Sequence, residues 1–254
     1  MFGIKKYGHI ISLGYNCEVS FQFFLKYHFV ESSLFAWVNA VDCVHIINAL
    51  ENLSALISKG FKKAPLMYED IATGIFFHAK EYQNDSEAEI QDELRNRILY
   101  LKDKFLKTAN DGKKNLYIFK YPPVKRSEKL VRGDILKLYD TLSNMVSNDF
   151  DLLIILSCDM YPELTFDVPN IYVRRVRFFT PENAVTDKPY DKKHYGKIFS
   201  EFRPNFKLQK TKRFKFERVS EERGTIKSVV LGFFISLIPS HAARVRMRKK
   251  YHLE

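Results

Sequence analysis

The segment from Asn115 to Ser157, NLYIFKYPPVKRSEKLVRGDILKLYDTLSNMVSNDFDLLIILS, holds two short apolar runs separated by one helical pattern. The runs at 115–121 and 152–157 are nearly continuous in apolar residues, which predicts buried strands. Between them, apolar residues recur at the spacing of one helix face: Ile135, Leu138, Leu142 and Met145. A strand, a helix and a second strand of these lengths predict a crossover unit with two parallel strands.

The same alternation continues on both sides of this unit. Apolar runs at 9–13, 74–78 and 171–176 also predict strands. Ser86 and Glu89 have the spacing of a capping box at the start of a long helix, and a further helix is predicted over 41–57. We therefore expect an α/β domain over residues 1–203, with a mostly parallel central sheet flanked by helices in the three-layer arrangement of hydrolases or flavodoxins.

The net charge of +11 is concentrated at the C-terminus, where residues 203–254 hold 14 Lys and Arg against 4 Asp and Glu. Within this part, VVLGFFISLI (229–238) is too short to span a bilayer as a helix. We expect residues 204–254 to form a basic, partly apolar helical extension that contacts an anionic membrane surface. Packing on the domain or an oligomer contact is the alternative, and nucleic acid is not expected because a compact apolar decamer suits it poorly.

The cysteines and the N-terminus predict a cytoplasmic protein, with the extension bringing it to the inner membrane. The three cysteines form no CxxC pair and are too few for a disulfide framework. The apolar run near the N-terminus, about five residues, is too short for a signal peptide.

The candidate nucleophile lies in HIISLGYNCEVSFQFF (9–24), where an apolar strand leads through a glycine to Cys17 and then to a helical pattern. A thiol at the first turn of a helix meets the positive end of the helix dipole, which favours the thiolate. Gly14 permits a tight turn, and amides nearby could hold an oxyanion. The alternative is a buried, inert thiol.

Carboxyl ends of parallel strands meet at one edge of a sheet, where ligands bind. Four residues follow predicted strands and are expected to meet there: Cys17, His78, Pro122 and Asp159. His78 is the candidate base for Cys17, and His194 is its rival. Three aspartates could orient the histidine: Asp159, Asp187 and Asp191.

Arginines in YVRRVRFF (172–179) are candidate anion ligands. Arg174 is predicted on one strand face, with Arg175 and Arg177 on the other. Guanidinium groups at a ligand-binding edge suit a phosphate or carboxylate, and ordinary surface pairing is the alternative.

Metal and nucleotide motifs are missing from the sequence, which has no GxxxxGK[ST], GxGxxG or HExxH pattern. The single DxD, Asp149 to Asp151, is interpreted as a turn at the opposite edge of the sheet. No metal and no bound cofactor is expected, and the candidate donors are a nucleotide sugar or an acyl-CoA.

Four segments together resemble a bacterial family described as papain-like cysteine peptidases, found in capsule and lipopolysaccharide gene clusters: ISLGYNCEVSFQF, SSLFAWVNAVD, FFHAK and IYVRRVRFFTPENAVTD…KIFSEF. The resemblance covers residues 8–203, and its most specific element is SLGxNCxxS followed by an aromatic-Trp segment at 35–37. The family has Phe-Asp/Ser-Trp there, whereas this chain has Ala36, so any acid role at that position is missing. A weaker resemblance links the opening to polysaccharide-locus acyltransferases with a hydrolase-like fold.

The resemblance implies Cys17 as nucleophile, ranks His78 above His194 and supports shared roles for Arg174, Arg175 and Asp187. The expected catalytic residues are thus Cys17, His78 and Asp187. The expected substrate-binding residues are Gly14, Asn16, Trp37, Arg174, Arg175 and Arg177.

The expected function is a cysteine-dependent acyl transferase or hydrolase of bacterial surface polysaccharide biosynthesis, acting on a glycan or lipid-linked sugar. The alternative is a membrane-peripheral glycosyl- or phospho-sugar transferase in which Cys17 only shapes the pocket. A non-catalytic membrane- or nucleic-acid-binding protein is the third hypothesis.

Overall fold

A computed structural model describes residues 4–15, 17–27, 33–36, 38–64, 67–79, 86–122, 126–177 and 191–205. All of them belong to one compact unit, made of residues 1–184 and 188–207. A second unit, residues 185–187 and 208–254, lies outside the described residues, and so does the predicted extension from residue 206 onward.

A parallel sheet of four strands forms the centre of the described unit. Its order is β2 (His9–Ser12), β7 (Asn115–Lys120), β8 (Phe150–Ser157) and β9 (Ile171–Val176). The register pairs Ile10 with Leu116 and Ile118 with Leu153. All four strands were predicted from their apolar runs, and their parallel pairing is confirmed.

The run at 74–78 does not join this sheet, so its predicted place among the parallel strands is wrong. It contributes only β6 (Phe76–Phe77) to an antiparallel sheet of order β3 (Val38–Asn39), β6, β5 (Met67–Asp70) and β4 (Phe61–Ala64). The reason is length: residues 71–75 form a tight turn, and parallel strands need a crossover of a dozen residues or more.

Two short strands, β1 (Lys5–Tyr7) and β10 (Phe202–Pro204), pair in parallel as a separate ladder. Their pairing brings the end of the described chain back to its start, because Lys5 lies opposite Phe202 and Tyr7 opposite Pro204.

Helices cover both faces of the parallel sheet, and strand alternation divides the core between them. Tyr117 and Phe119 point toward α2 (Cys43–Glu51), α3 (Glu87–Ala109) and α4 (Glu128–Met145). Leu116 and Ile118 point toward α1 (Glu18–Tyr27) and α5 (Lys192–Glu201). The fold is therefore mixed α/β, with parallel strands flanked by helices, as predicted.

The helix starts follow local capping chemistry. The Ser86 and Glu89 capping box is present at the start of α3, as predicted. The helix predicted over 41–57 is shorter than expected: Asp42 caps it by accepting from the amide of His45, and it ends at Glu51.

Candidate functional site

The loop between β2 and α1 makes a sharp turn at two residues in the left-handed region. Gly14 has φ 92° and Tyr15 has φ 73°. A Cβ on Gly14 would lie 2.6 Å from Val38 Cγ2, so the site admits only glycine. The strain at Tyr15 is held by the surrounding structure, because its carbonyl accepts from the amide of Ala40 at 3.1 Å.

Cys17 directly precedes the first residue of α1, at the carboxyl edge of the sheet, and is partly exposed. Burial of the thiol raises its pKa; the backbone amide of Cys17 opposes this, Glu18 adds to it and Lys120 lowers it. The backbone amide at the helix start therefore favours the thiolate, as expected, but desolvation outweighs the amide and the nearby cation, so the pKa of the resting thiol is raised. A thiol with a raised pKa keeps its proton at pH 7.

Beside Cys17 lies a buried ion pair between the Glu18 carboxylate and the Lys120 ammonium. Lys120 ends β7, and its side chain is wholly buried on the α1 and α5 side of the sheet. Burial lowers the pKa of Lys120, and the charges of Glu18 and Cys17 oppose that shift. The Tyr15 ring covers the same ammonium, with its centroid 5.6 Å from Nζ.

Helix α5 packs alongside α1 and runs in the same direction. Tyr27 donates to the carbonyl of Phe199, and the rings of Phe23 and Phe199 meet edge to face at 5.4 Å. Near the start of α5, Tyr195 is buried, and burial together with the charge of Glu18 raises the pKa of its hydroxyl. The N-terminal ends of α1 and α5 are therefore neighbours.

Asp191 caps α5 and holds His194. The two Asp191 oxygens accept from the amides of Arg177 at 2.5 Å and His194 at 3.1 Å. His194 Nδ1 lies 2.5 Å from Asp191 Oδ1, which requires a proton on Nδ1 because a carboxylate only accepts. Burial alone would raise the pKa of Asp191, but these hydrogen bonds hold it below its usual value. His194 is half-exposed beside a buried carboxylate.

His78 lies in a different environment, one residue beyond β6 in the antiparallel sheet. Its carbonyl accepts from the Arg97 guanidinium. Burial lowers the pKa of its imidazole to about 4, and the charge of Arg97 adds to that shift. His78 is therefore neutral at pH 7. Its strand lies one strand away from the glycine turn, because Phe77 pairs with Val38, which packs on Gly14.

The three predicted arginines make contacts within the chain. Arg174 forms an ion pair with Glu201 and lies over the Phe202 ring, while Arg175 donates to the carbonyls of Tyr161 and Leu164. Arg177 contributes its amide to Asp191. Arg174 and Arg175 thus fasten β9 to its surroundings, and their substrate-binding role stays a prediction.

Three of the predicted site residues, Asn16, Trp37 and Asp187, lie outside the described residues. Of the alternative aspartates, the structure joins Asp191 to a candidate histidine. Glu18 and Lys120 were not among the site residues predicted from the sequence. The signal for Lys120 was a lysine in the apolar run NLYIFKY, two residues beyond Ile118 and so on the same strand face.

A small cavity adjoins α1 on the β2 side, lined by the serine hydroxyls of Ser12, Ser20 and Ser33 among apolar groups. It has room for about one water molecule, so an acyl chain does not fit there.

The described part of the chain holds no cluster of three or more His, Cys, Asp and Glu side chains that could bind a metal ion. Asp151 of the DxD instead accepts from the Tyr7 hydroxyl at 2.5 Å and pairs with Lys114. Among the helices that the structure describes, none is long and apolar enough to cross a membrane. Comparison with protein-family models, with curated proteins and with solved structures finds no match for this chain.

Proposed function

We propose that this chain is a cysteine-dependent acyl transferase or hydrolase with a hydrolase-like three-layer domain. In it, Cys17 is the nucleophile, His194 the general base and Asp191 the group that orients the base. One observation carries the proposal: α1 and α5 pack side by side, with Phe23 against Phe199 and with Val19 and Tyr195 in one buried cluster, so the helix starts that carry Cys17 and His194 are neighbours. A thiol with a raised pKa and an imidazole held by a buried carboxylate thus lie on adjacent helix starts.

The reaction follows from these positions. His194 Nε2 takes the proton of the Cys17 thiol while Asp191 keeps the proton on Nδ1. The thiolate sulfur attacks the acyl carbonyl, and backbone amides at the start of α1 stabilise the oxyanion. The leaving group departs with the proton from His194, leaving a thioester on Cys17. Water or a sugar hydroxyl then attacks the thioester, gives its proton to His194 and releases the thiol.

His194 is preferred to His78 because of their surroundings. A general base works best with a pKa near the operating pH and within reach of the reacting proton. His78 has a pKa of about 4 beside Arg97 and belongs to the antiparallel sheet. His194 has the aspartate partner of a nucleophile–base–acid triad and belongs to the helix that packs on α1.

The substrate class of this proposal is a glycan or lipid-linked sugar of bacterial surface polysaccharide biosynthesis. Its support is the resemblance of the SLGYNC segment and its companions to the capsule and lipopolysaccharide family. The cytoplasmic face of the inner membrane is the proposed location, with the basic residues of 204–254 attracted to anionic lipid headgroups. The glycosyl- or phospho-sugar transferase alternative loses support because Arg174 and Arg175 are engaged within the chain.

The test uses p-nitrophenyl acetate as a generic acyl donor. The natural chain should release p-nitrophenol and carry an acetyl group on Cys17 when the reaction is quenched and analysed by mass spectrometry. Cys17→Ala should abolish both signals, whereas Cys158→Ala, which removes the exposed cysteine after β8, should keep them. His194→Ala should slow acetylation by roughly 10²- to 10⁴-fold.

His78→Ala is the matched control and should leave the acetylation rate within about threefold of the natural chain, since an imidazole with a pKa of about 4 is too weak a base to take the proton of the Cys17 thiol. Full acetyl-ester hydrolysis by Cys17→Ala would disprove the proposed function. If His78→Ala slowed acetylation and His194→Ala did not, Cys17 would remain the nucleophile and His78 would replace His194 as the base.

A further inference from the structure

Burying the charges of Glu18 and Lys120 costs desolvation free energy. The side chains are at most 3% exposed, and both charges have lost their hydration. A buried ion pair is often no more stable than apolar residues of the same volume, so its presence points to a purpose other than stability. Lys120 ends an interior strand, where the apolar side chains of Leu116 and Ile118 precede it on the same face.

The pair lies beside Cys17 at the start of α1. Glu18 is the residue after Cys17. The Glu18 carboxylate raises the pKa of the Cys17 thiol, and the Lys120 ammonium lowers it. Within the described residues, the other ionisable groups near this point are the Tyr15 ring over the Lys120 ammonium, from the β2–α1 loop, and Tyr195, His194 and the N-cap Asp191 at the start of α5. Lys120 is the buried cation among these groups.

We propose that the Lys120 ammonium is shared between two anions: the Glu18 carboxylate in the resting protein and the Cys17 thiolate once the thiol has lost its proton. This inference rests on the proposed function and adds to it the two residues that control the charge on the Cys17 sulfur. Lys120 is a positioning residue, since its ammonium stabilises the charge on the sulfur and takes no part in the proton transfer. Glu18 holds the ammonium in place and competes with the thiolate for it.

Two single substitutions should change the reactivity of Cys17 in opposite directions. Lys120→Met removes the cation and leaves the Glu18 carboxylate beside the thiol, which disfavours the thiolate. Glu18→Gln keeps the size of the side chain and frees the ammonium for the sulfur, which favours the thiolate. If the ion pair is only structural, both variants should be less stable, and the reactivity of the Cys17 thiol should not change in opposite directions.

The measurement is the rate of alkylation of Cys17 by iodoacetamide as a function of pH, in the full chain with Cys158→Ser so that the exposed cysteine does not react. Cys43 is wholly buried in the folded protein. At pH 7 we expect Glu18→Gln to react about tenfold faster than the natural pair and Lys120→Met about tenfold slower, a shift of about one pH unit each way. The double variant Glu18→Gln/Lys120→Met should react at a rate between the two, and Lys120→Arg should resemble the natural chain.

A second measurement covers the case in which a single variant does not fold. In the natural chain, the ¹⁵N resonance of the Lys120 ammonium should follow the titration of Cys17, and this inflection should vanish in Cys17→Ala. Equal or parallel changes in the two single variants, or a Lys120 resonance that ignores Cys17, would overturn the inference.

The two failures are distinguishable. If Cys17→Ala loses acyl transfer but the thiol rates do not diverge, the proposed function stands and the charge sharing is wrong. If the thiol rates diverge but Cys17→Ala keeps its acyl-transfer activity, the charge sharing stands and the proposed function is wrong.

Discussion

At the scale of single residues, the β2–α1 loop depends on two consecutive left-handed conformations. Tyr15 adopts one despite its side chain, at a cost of about 1–2 kcal/mol for an L-residue. Gly14 adopts the other without that cost, but it also faces Val38 at a distance that leaves no room for a methyl group. The position of Cys17 therefore depends on a glycine for two independent reasons.

Gly14→Ala should destabilise the protein by about 2–4 kcal/mol, because the left-handed conformation and the contact with Val38 both oppose a Cβ. Gly133→Ala is the matched control. Gly133 lies within α4 with no atom within 4 Å of an added Cβ, so alanine there should stabilise the protein by about 0.5–1 kcal/mol. Urea unfolding followed by circular dichroism measures both, and an unchanged midpoint for Gly14→Ala would contradict the steric argument.

At the scale of elements, the connection from β5 to β6 determines which sheet carries His78. Asp70 is wholly buried, and its two oxygens accept from the amides of Ile57 and Thr73 and from the Thr73 hydroxyl. Gly74, with φ 74°, donates its amide to the Asp70 carbonyl and completes the turn. This network reverses the chain within five residues, so β6 can only pair antiparallel.

Asp70→Ala should cost about 2–4 kcal/mol, because it leaves buried donors of Ile57 and Thr73 without acceptors. Asp70→Asn retains one carbonyl oxygen and should cost less than half as much. The free energy of unfolding in urea distinguishes the two variants, and equal losses would show that the side chain's hydrogen bonds contribute little to the turn.

At the scale of the whole molecule, the charge is divided unequally between residues 1–202 and residues 203–254. Residues 203–254 carry 14 basic and 4 acidic residues of the whole chain's 41 and 30. Basic residues close to an anionic membrane contribute about 1 kcal/mol each, so this part of the sequence governs membrane attraction in the proposed function.

Replacing Arg244, Arg246 and Arg248 by glutamine in the full chain should lower binding to phosphatidylglycerol-containing vesicles by about 100-fold, at about 1 kcal/mol for each lost cation. The matched control replaces Lys62, Lys107 and Lys129, which removes the same charge from exposed positions of the folded unit. Vesicle co-sedimentation at low salt measures both. Equal losses in the two triple variants would assign the attraction to overall charge rather than to the C-terminal part.

Much of the parallel sheet was predictable because its signals are local. The apolar runs of β2, β7, β8 and β9 and the capping box of Ser86 are properties of neighbouring residues, and the structure has them where they were predicted. We predicted the wrong sheet for the 74–78 run. Its two phenylalanines indicate a strand, but the local sequence does not determine which strand they pair with. That choice depended on the turn at Asp70.

The sequence alone determined the α/β alternation, the glycine turn before Cys17 and the location of the excess charge, because periodicity, backbone preference and composition act over a few residues. Only the tertiary structure decided that Lys120 meets Glu18 across 102 positions of sequence, that Asp191 holds His194 beside the helix of Cys17, and that burial raises the pKa of the thiol. These are contacts and desolvation between distant segments, and they exist only once the helices have packed on the sheet.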